Sequence, residues 1–438
     1  MIYSNRYHER NQQMVNLKHS LSTPSGDIAQ SIISTLLDGY SGSTTVRLWD
    51  DRVLNSSPEA SCAVIFRQPG VLRELLIRQD LVRLGEAYIS GSIDVEGKLE
   101  SLFDLSPWLQ NLKLSPGQKL QLLFRALRLP GSVSRRRALQ KKAQLSVRRN
   151  GQESISHHYD VSNEFYKLWL DPQMIYSCAY FKDDHQSLAE AQQDKLEHIC
   201  RKLRLSPGQK LLDIGCGWGA LVLWAAKHYG VSCHGITLSE QQYEYAKQRI
   251  RDEGMQDLVT VELRDYRDLL DDEKYDRIVS VGMFEHVGVK NFPVYFGKVK
   301  SLLKPGGLFL NHGITSDTGW QKTDLTRFIN HYVFPDGELA RISDVNQAME
   351  QAGFELLDME SLRRHYAITL RHWVKSLEKN REQAIASSSD ATYRLWRLYM
   401  AGSAYYFDEG SINVYQVLVG HGRQTQSVPL RRDDIYRH

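Results

Sequence analysis

The chain has 438 residues, 42% of them hydrophobic, and a formal net charge of +3. This length and apolar content suffice for two or three domains with sizeable cores, which excludes a disordered or fibrous protein. The five cysteines are odd in number and lack the spacing of a disulfide framework or metal site, so we expect a cytoplasmic protein without a metal. No segment approaches the ~18 uninterrupted apolar residues that cross a bilayer, and no apolar signal sequence is present, so we expect neither a secreted nor an integral membrane protein.

The N-terminal quarter has the pattern of a small mixed domain. Residues 1–27 are polar and lack periodicity, which predicts a mobile arm. Residues 28–109 contain a short helical pattern, strand-like runs at 45–49 and 62–66, and a second helical pattern at 71–77. This mixture predicts a small α+β domain.

A basic segment, residues 110–150, follows this domain. No acidic residue occurs between Leu105 and Gln152, whereas lysine and arginine are frequent. Its first part has apolar side chains at helical i, i+3, i+4 and i+7 spacing, at Leu120, Leu123, Phe124 and Leu127. The sequence therefore predicts a basic amphipathic linker, which suits an anionic membrane surface; nucleic acid and a solvated linker remain alternatives.

Strand and helix patterns alternate from residue 210 to residue 314, inside a second domain that we place at 151–438. Such alternation predicts an α/β fold with a doubly wound, mostly parallel sheet. Helical patterns at 341–351, 363–379 and 391–406 then interrupt the alternation. They predict a helical lid inserted over the sheet.

Residues 211–219 read Leu-Leu-Asp-Ile-Gly-Cys-Gly-Trp-Gly, which predicts a buried strand that turns sharply into a helix. Glycine lets the main chain approach a nucleotide, and the helix start offers open N–H groups. About 20 residues later, residues 234–239 lack the carboxylate that would bind a ribose in a dinucleotide fold. Ser239, with Gln242 as its capping-box partner, either only caps the next helix or helps to replace that acid.

These motifs together closely resemble one family, the cyclopropane-fatty-acyl-phospholipid synthases. They are relatives of the mycolic-acid cyclopropane synthases within the class I S-adenosylmethionine-dependent methyltransferases. The resemblance spans residues 154–420 and rests on the glycine turn and five further segments: His158-Tyr159-Asp160, residues 176–181 (Tyr-Ser-Cys-Ala-Tyr-Phe), Thr237-Leu238-Ser239, residues 282–286 (Gly-Met-Phe-Glu-His) and His365-Tyr366-Ala367. It implies a Rossmann-like seven-stranded sheet, an N-terminal domain associated with lipid, and a homodimer formed through that domain.

The resemblance also implies the residues that bind S-adenosylmethionine. They match Tyr176, Ser177, Asp213, Gly215, Cys216, Gly217, Trp218, Gly219, Thr237, Leu238, Ser239, Glu240, Gln241, Gln242, Tyr266, Arg267 and Gly282. The family further holds bicarbonate, whose ligands match Cys178 and Ile314 through main chain and Glu285, His312 and Tyr366 through side chains. One departure is Ser403, where many members have a cysteine, so an essential thiol is not expected there.

The chemistry of such a site has a physical reason. Methyl transfer to an isolated cis alkene creates a carbocation without a lone pair, and ring closure then requires a base beside it. A small anion held by donors can serve there at a lower desolvation cost than a bare carboxylate in an apolar channel. We therefore expect a cytoplasmic, peripheral membrane enzyme at the inner membrane face that makes cyclopropane rings in phospholipid acyl chains. Methylation of an amphipathic amine and a non-catalytic lipid-binding protein are the alternatives.

Overall fold

The structure is a computed structural model that describes residues 24–55, 60–78, 81–131, 161–321, 323–334, 337–422 and 428–436. These residues form two compact units, divided between Ala143 and Gln144. Helix α1 (Pro24–Leu36) begins inside the predicted mobile arm. The rest of that arm, residues 132–150 of the predicted basic linker and the His158-Tyr159-Asp160 motif lie outside the described residues.

The first unit has a four-stranded sheet with the order β2-β1-β3-β4, in which β1 and β3 are parallel and the outer pairs are antiparallel. The strands are β1 (Thr44–Arg47), β2 (Val53–Leu54), β3 (Cys62–Phe66) and β4 (Ile93–Gly97), and the further helices are α2 (Pro69–Arg78), α3 (Leu81–Ile89), α4 (Leu105–Asn111) and α5 (Pro116–Arg128). The sequence did not predict α3 or β4. Only Ile93 and Val95 of β4 are buried apolar residues, which is too short an alternation to distinguish from a turn.

Helix α5 is the predicted amphipathic helix, but it packs differently from the prediction. It begins after Ser115, whose side chain and that of Gln118 form a capping box. Leu122 and Ala126 are buried, and Leu122 belongs to the core of the first unit. This part of the predicted linker therefore folds with the first unit, beyond the expected boundary at residue 109. The apolar stripe stays outside, with four side chains that are between 41% and 60% exposed: Leu120, Leu123, Phe124 and Leu127.

The second unit contains a seven-stranded sheet with the order β10-β11-β9-β8-β5-β6-β7. The strands are β5 (Lys210–Ile214), β6 (Ser232–Thr237), β7 (Val259–Leu263), β8 (Tyr275–Val281), β9 (Leu303–Ser316), β10 (Glu355–Ser361) and β11 (Ile412–Gly420). Strands β5 to β9 pair in parallel, and β11 is antiparallel to both of its neighbours. The predicted doubly wound α/β class is therefore confirmed.

Helices cover both faces of this sheet. They are α6 (Asn163–Lys167), α7 (Leu188–Lys202), α8 (Ala220–Tyr229), α9 (Glu240–Asp252), α10 (Phe292–Leu302), α11 (Asp324–Tyr332), α12 (Ile342–Gln351), α13 (Arg363–Lys379), α14 (Arg381–Ser387), α15 (Asp390–Glu409) and α16 (Asp433–Tyr436). Leu211 packs in a cluster with α7, α8 and α9, whereas its neighbour Leu212 packs in another with α10 and α12. Because neighbouring strand residues face opposite sides, these clusters lie on opposite faces.

The inserted helices α13 and α15 contribute to an aromatic cluster. Trp373 and Trp396 are buried and contact Trp169, with ring centroids 5.5 and 5.3 Å away. Tyr176 contacts the same two tryptophans from the segment that precedes α7. Among the described residues, no helix has the length and apolarity to cross a membrane.

Candidate active site

The glycine turn after β5 forms one end of a cavity. Gly215, Gly217 and Gly219 all have positive φ angles, of 88°, 55° and 84°. A Cβ at Gly215 would lie 2.8 Å from Cβ of Met283, so a side chain does not fit there. Gly219 is the N-cap of α8 and provides no capping side chain. The N–H groups at this helix start are therefore not occupied by their own cap.

The cavity has a volume of about 280 Å³ and lies at the carboxyl ends of β5, β6, β7 and β8. This is the edge where doubly wound sheets bind ligands. Most of the predicted cofactor residues line it: Tyr176, Ser177, Asp213, Gly215, Cys216, Gly217, Trp218, Thr237, Leu238, Gln242, Tyr266, Arg267 and Gly282. Gly219, Ser239, Glu240 and Gln241 do not line it, and they lie at the starts of helices α8 and α9.

The Thr237 to Gln242 turn has a structural role that the sequence predicted in part. Ser239 is the N-cap of α9, and its Oγ accepts the Gln242 N–H at 3.3 Å. The side chain of Gln242 does not complete the predicted capping box. Its Oε1 accepts the Thr237 hydroxyl at 2.8 Å, and Thr237 Oγ1 accepts the Ser239 N–H. Three side chains thus fix the cavity wall at the end of β6.

Glu285 follows β8 in a short 3₁₀ helix and is 8% exposed. Strand β8 pairs with β9 as far as Val281 and His312, so Ile314 lies beyond the end of that ladder. Its N–H donates to Oε1 of Glu285, while the buried Oε2 has no partner in the described part of the chain. Burial raises the pKa of Glu285 to about 7, against the effect of hydrogen bonds that include the one from Ile314.

His312 lies two residues before Ile314, on the same face of β9. It stands in register with Gln416 of β11, whose amide nitrogen lies 3.3 Å from Nδ1 of His312. This amide donates, so Nδ1 accepts and the ring proton is on Nε2. Nε2 is buried and has no partner among the described residues. Burial, with the charges of Lys195 and Lys202, holds the pKa of His312 well below its usual value, so the ring is neutral.

Cys178 and Tyr366 approach from the aromatic side of the unit. Both belong to the cluster against which Ile314 packs. The Cys178 thiol is fully buried and contacts the Leu362 carbonyl at 3.7 Å, while the next N–H, of Ala179, donates to Thr369. Burial raises the pKa of the Cys178 thiol, which excludes a thiolate nucleophile near neutral pH. The five residues predicted around an anion thus come from four separate segments of one unit.

The comparisons with known proteins agree with this geometry. Residues 146–417 match the family model described as mycolic acid cyclopropane synthetase, which is more than half of the chain. The chain belongs to this family. It is accordingly an S-adenosylmethionine-dependent methyltransferase. Residues 31–108 match a separate model, described as a domain of unknown function.

Individual members of the cyclopropane synthetase family match over different lengths. A probable fatty acid methyltransferase of Pseudomonas putida is 39% identical over 90% of this chain and 96% of its own length. The cyclopropane-fatty-acyl-phospholipid synthase of Escherichia coli K12 is 42% identical over 60% of this chain and 67% of its own. The solved structure of the mycolic acid cyclopropane synthase CmaA1, complexed with SAH and CTAB, is 35% identical with a TM-score of 0.59, and it covers 62% of this chain and 99% of its own.

The sequence analysis of this family member missed two polar clusters on α7. In the first, the Lys195 ammonium donates to Ser177 Oγ at 2.9 Å, and the Gln192 amide donates to the Ser177 carbonyl at the same distance. Both side chains on α7 are buried, at 2% and 0% exposed. A signal existed, since a lysine and a glutamine occupy positions of the helix face that packs inward.

The second cluster surrounds Glu360 at the end of β10. Its carboxylate accepts from Nε2 of His198 at 2.7 Å, from the ammonium of Lys202 at 2.5 Å and from the Tyr180 hydroxyl at 3.1 Å. Burial opposes ionisation, but the hydrogen bond from His198 and the charge of Lys202 lower the pKa of Glu360 to about 2. His365 stacks on the same Tyr180 ring, with centroids 4.8 Å apart.

Proposed function

We propose that this protein transfers a methyl group from S-adenosylmethionine to the cis double bond of unsaturated phospholipid acyl chains and closes a cyclopropane ring. The observation that carries the proposal is a pair of buried polar atoms without partners among the described residues. Oε2 of Glu285 is an acceptor, and Nε2 of His312 carries a proton to donate. Buried polar atoms are normally satisfied, so a partner from outside the chain is expected here.

A small oxyanion with one proton fits this pair. It can accept the His312 Nε2–H and donate its own proton to Glu285, so that neither buried atom remains unsatisfied. When bound, S-adenosylmethionine supplies the methyl group and bicarbonate supplies the proton acceptor for ring closure. Cys178 would add a main-chain contact and Tyr366 a side-chain contact, while the Ile314 N–H, already donated to Glu285, would position that carboxylate beside the anion. The chain would hold the anion beside the apolar substrate, and Glu285 would accept the proton that the anion takes up.

The aromatic cluster supports an alkene as the substrate. An acyl chain offers only apolar surface, and it supplies no lone pair or counter-ion of its own to the cation formed on it. Tyr366 is 91% buried, and its ring lies 6.0 Å from Trp373 and 4.6 Å from Phe407. An aromatic face attracts a cation that lies within about 6 Å of its centroid, by about 2 kcal/mol when water is excluded. The same walls exclude water, which would otherwise trap the cation as an alcohol.

Helix α5 supports attachment to an anionic membrane. Its exposed stripe (Leu120, Leu123, Phe124 and Leu127) is accompanied by basic residues on and beside the helix: Lys113, Lys119, Arg125 and Arg128. Apolar side chains that enter the lipid boundary contribute burial energy, and each nearby cation adds about 1 kcal/mol on an anionic surface. We propose that the protein binds the inner membrane face through this stripe, as a peripheral protein.

The reaction is tested with vesicles of cis-unsaturated phospholipid, methyl-labelled S-adenosylmethionine and protein, with and without bicarbonate. Mass spectrometry of the fatty acids should show a gain of one CH₂ with ring fragmentation, and the gain should depend on bicarbonate. A methyl-branched or methylene product would show that methyl transfer occurs without ring closure. Labelled cofactor that binds while the lipids stay unchanged would favour an amine substrate, and absence of cofactor binding would favour a lipid carrier.

Membrane attachment is tested by flotation with anionic vesicles. Phe124→Asp combined with Leu123→Asp should reduce binding at least tenfold, because it places two charges in the lipid boundary. Val294→Asp is the matched control, since Val294 in the second unit is also 60% exposed. The expected homodimer is the other occupant of the stripe. If light scattering shows a dimer that the double variant dissociates while vesicle binding stays constant, the stripe is a subunit interface and not a membrane contact.

A further inference from the structure

A lysine on α7 presents a buried charge to the cofactor cavity. Lys195 is 2% exposed and lines the cavity together with Ser177 and Asp213. Its ammonium donates to Ser177 Oγ at 2.9 Å. Within the part of the chain that the structure describes, Lys195 has this one hydrogen bond and no ion pair. A buried ammonium has three donors, so two remain for another partner.

The bond to Ser177 does not account for a charged residue here. The main chain of that segment is already held by the neutral Gln192 amide, which donates to the Ser177 carbonyl at 2.9 Å and lies 3.4 Å from the Ile175 carbonyl. A neutral side chain at position 195 would serve the Ser177 hydroxyl equally well. Burial of an ammonium costs free energy, and it lowers the pKa of Lys195 to about 8 although the charges of Asp171, Cys178 and Asp213 oppose this effect.

Asp213 presents a buried carboxylate to the cavity that Lys195 lines. Its carboxylate is 2% exposed, lines the same cavity and has one oxygen without a partner among the described residues. Burial raises the pKa of Asp213 to about 7, and the charge of Lys195 opposes this. The two residues do not form an ion pair, so each charge remains available to the cavity. One end of the cavity therefore offers a buried cation and a buried anion.

We propose that Lys195 is the residue that recognises the α-carboxylate of the cofactor's amino-acid end, while Asp213 faces the α-ammonium of the same group. That end of S-adenosylmethionine is a zwitterion, and it matches the two charges in sign. When it binds, Lys195 exchanges a partly desolvated state for a charge-assisted hydrogen bond, which is among the stronger contacts in proteins. The proposal concerns cofactor binding alone and does not depend on the lipid substrate.

The test measures binding without lipid and without bicarbonate, so its outcome is independent of the proposed reaction. Calorimetry compares three ligands: S-adenosylhomocysteine, its decarboxylated analogue, which keeps the amine, and 5′-methylthioadenosine, which lacks the amino-acid end. The unmodified protein should prefer S-adenosylhomocysteine over the decarboxylated analogue by about 10- to 100-fold, as expected for a buried hydrogen bond to a charged group.

Three variants separate recognition from structure. Lys195→Gln keeps a donor for Ser177 but removes the charge, and Lys195→Met removes both. In each, the preference for the carboxylate should shrink to about threefold or less, while the affinity for 5′-methylthioadenosine stays within about threefold of the unmodified protein. Lys195→Arg keeps the charge and should retain part of the preference.

Two results would overturn the proposal. Equal weakening of all three ligands would mean that Lys195 only supports the fold of the cavity wall. An unchanged preference for the carboxylate in Lys195→Gln would mean that another group recognises it. If Lys195→Met does not fold, Lys195→Gln and Lys195→Arg still give the comparison, because both preserve a polar side chain at this position.

Discussion

Two glutamates of the second unit, the buried Glu285 and the partly buried Glu360, differ in how completely their carboxylates are bonded. Glu360 accepts from three side chains, of His198, Lys202 and Tyr180. Glu285 accepts one main-chain N–H, and its second oxygen has no partner in the described residues. Their pKa values move in opposite directions as a result. That of Glu360 falls to about 2, and that of Glu285 rises to about 7.

We propose that this difference separates a structural carboxylate from a functional one. The bonds of Glu360 connect β10 to α7 and to the segment before α7, and they leave little capacity for a ligand. Glu285 is held at one oxygen only, and the incomplete bonding is a cost that stability alone would not maintain. Carboxylates with a raised pKa and incomplete bonding are typical of active sites, so we assign the proposed functional role to Glu285.

The largest expected effect tests the functional glutamate. Glu285→Gln keeps the size of the side chain and its acceptor for the Ile314 N–H but cannot accept a proton from the bound anion. Lipid methylation should fall by about 10³-fold or more, within the range for a lost acid–base group. Cofactor affinity, measured by calorimetry, should stay within about threefold.

Glu262→Gln is the control for this substitution, because Glu262 is 41% exposed and pairs with Arg264 away from the anion site. It should keep full activity. Turnover of Glu285→Gln within tenfold of the unmodified protein would contradict the role assigned to Glu285.

The second prediction tests the structural glutamate. Lys202 is fully buried, and Lys202→Met leaves Glu360 without its cationic partner. Breaking a buried ion pair on one side costs about 3–5 kcal/mol, which should appear as a lower midpoint in urea or thermal unfolding. Lys167→Met removes an exposed pair with Glu164 and should cost less than about 0.5 kcal/mol. Equal stability of the two variants would show that the Glu360 cluster does not hold the fold.

The third prediction compares both glutamates by pH. The raised pKa of Glu285 means that its stabilising contribution is present below pH 4.5 and is lost as the pH rises through 7. Glu285→Gln should therefore be more stable than the unmodified protein at pH 8, by about 2–3 kcal/mol at most, and equally stable near pH 4.5. The lowered pKa of Glu360 has the opposite sign: its contribution is present above pH 4.5 and lost as the pH falls towards 2.

Glu360→Gln should accordingly be less stable at pH 7, by about 1–2 kcal/mol after allowance for its partly exposed side chain, and the deficit should shrink near pH 3. Unfolding midpoints of the two variants across this pH range provide the measurement. A stability change of the same sign for both variants at pH 8 would remove the distinction between the two carboxylates.

The sequence predicted the sheet better than the polar clusters. Strands β5 and β3 were expected within one residue of their bounds, because apolar runs that stop at glycine or polar residues indicate buried strands. Strand β4 was missed because it is short, and α5 was assigned to the linker because its apolar stripe, accompanied by basic residues, suits a membrane surface. The inward face of α5 is instead Leu122 and Ala126. The spacing of apolar residues shows which face of a helix is apolar, but it does not show what packs against that face.

Within the candidate site, the sequence likewise predicted local motifs better than contacts between distant segments. The glycine turn is one short segment whose positive φ angles demand glycine, so its sequence is informative. The pairing of Lys202 with Glu360 joins residues 158 positions apart, and that of His198 with Glu360 joins residues 162 apart. Charged residues in a helix normally predict a solvated face, and this expectation outweighs the weak signal from their spacing on α7, although the fold buries Lys195 and Lys202.

The alternation of side chains between the two faces of β9 limits how this protein can vary over evolution. His312 and Ile314 share a face of β9, and His312 meets Gln416 because β9 and β11 pair in that register. Loss or gain of one residue within β9 would turn Asn311 and Gly313 towards the proposed anion site and move His312 and Ile314 to the other side of the sheet. Substrate range can therefore diversify through substitutions in the strands and through length changes in loops, whereas an insertion within β9 would remove the site in a single step.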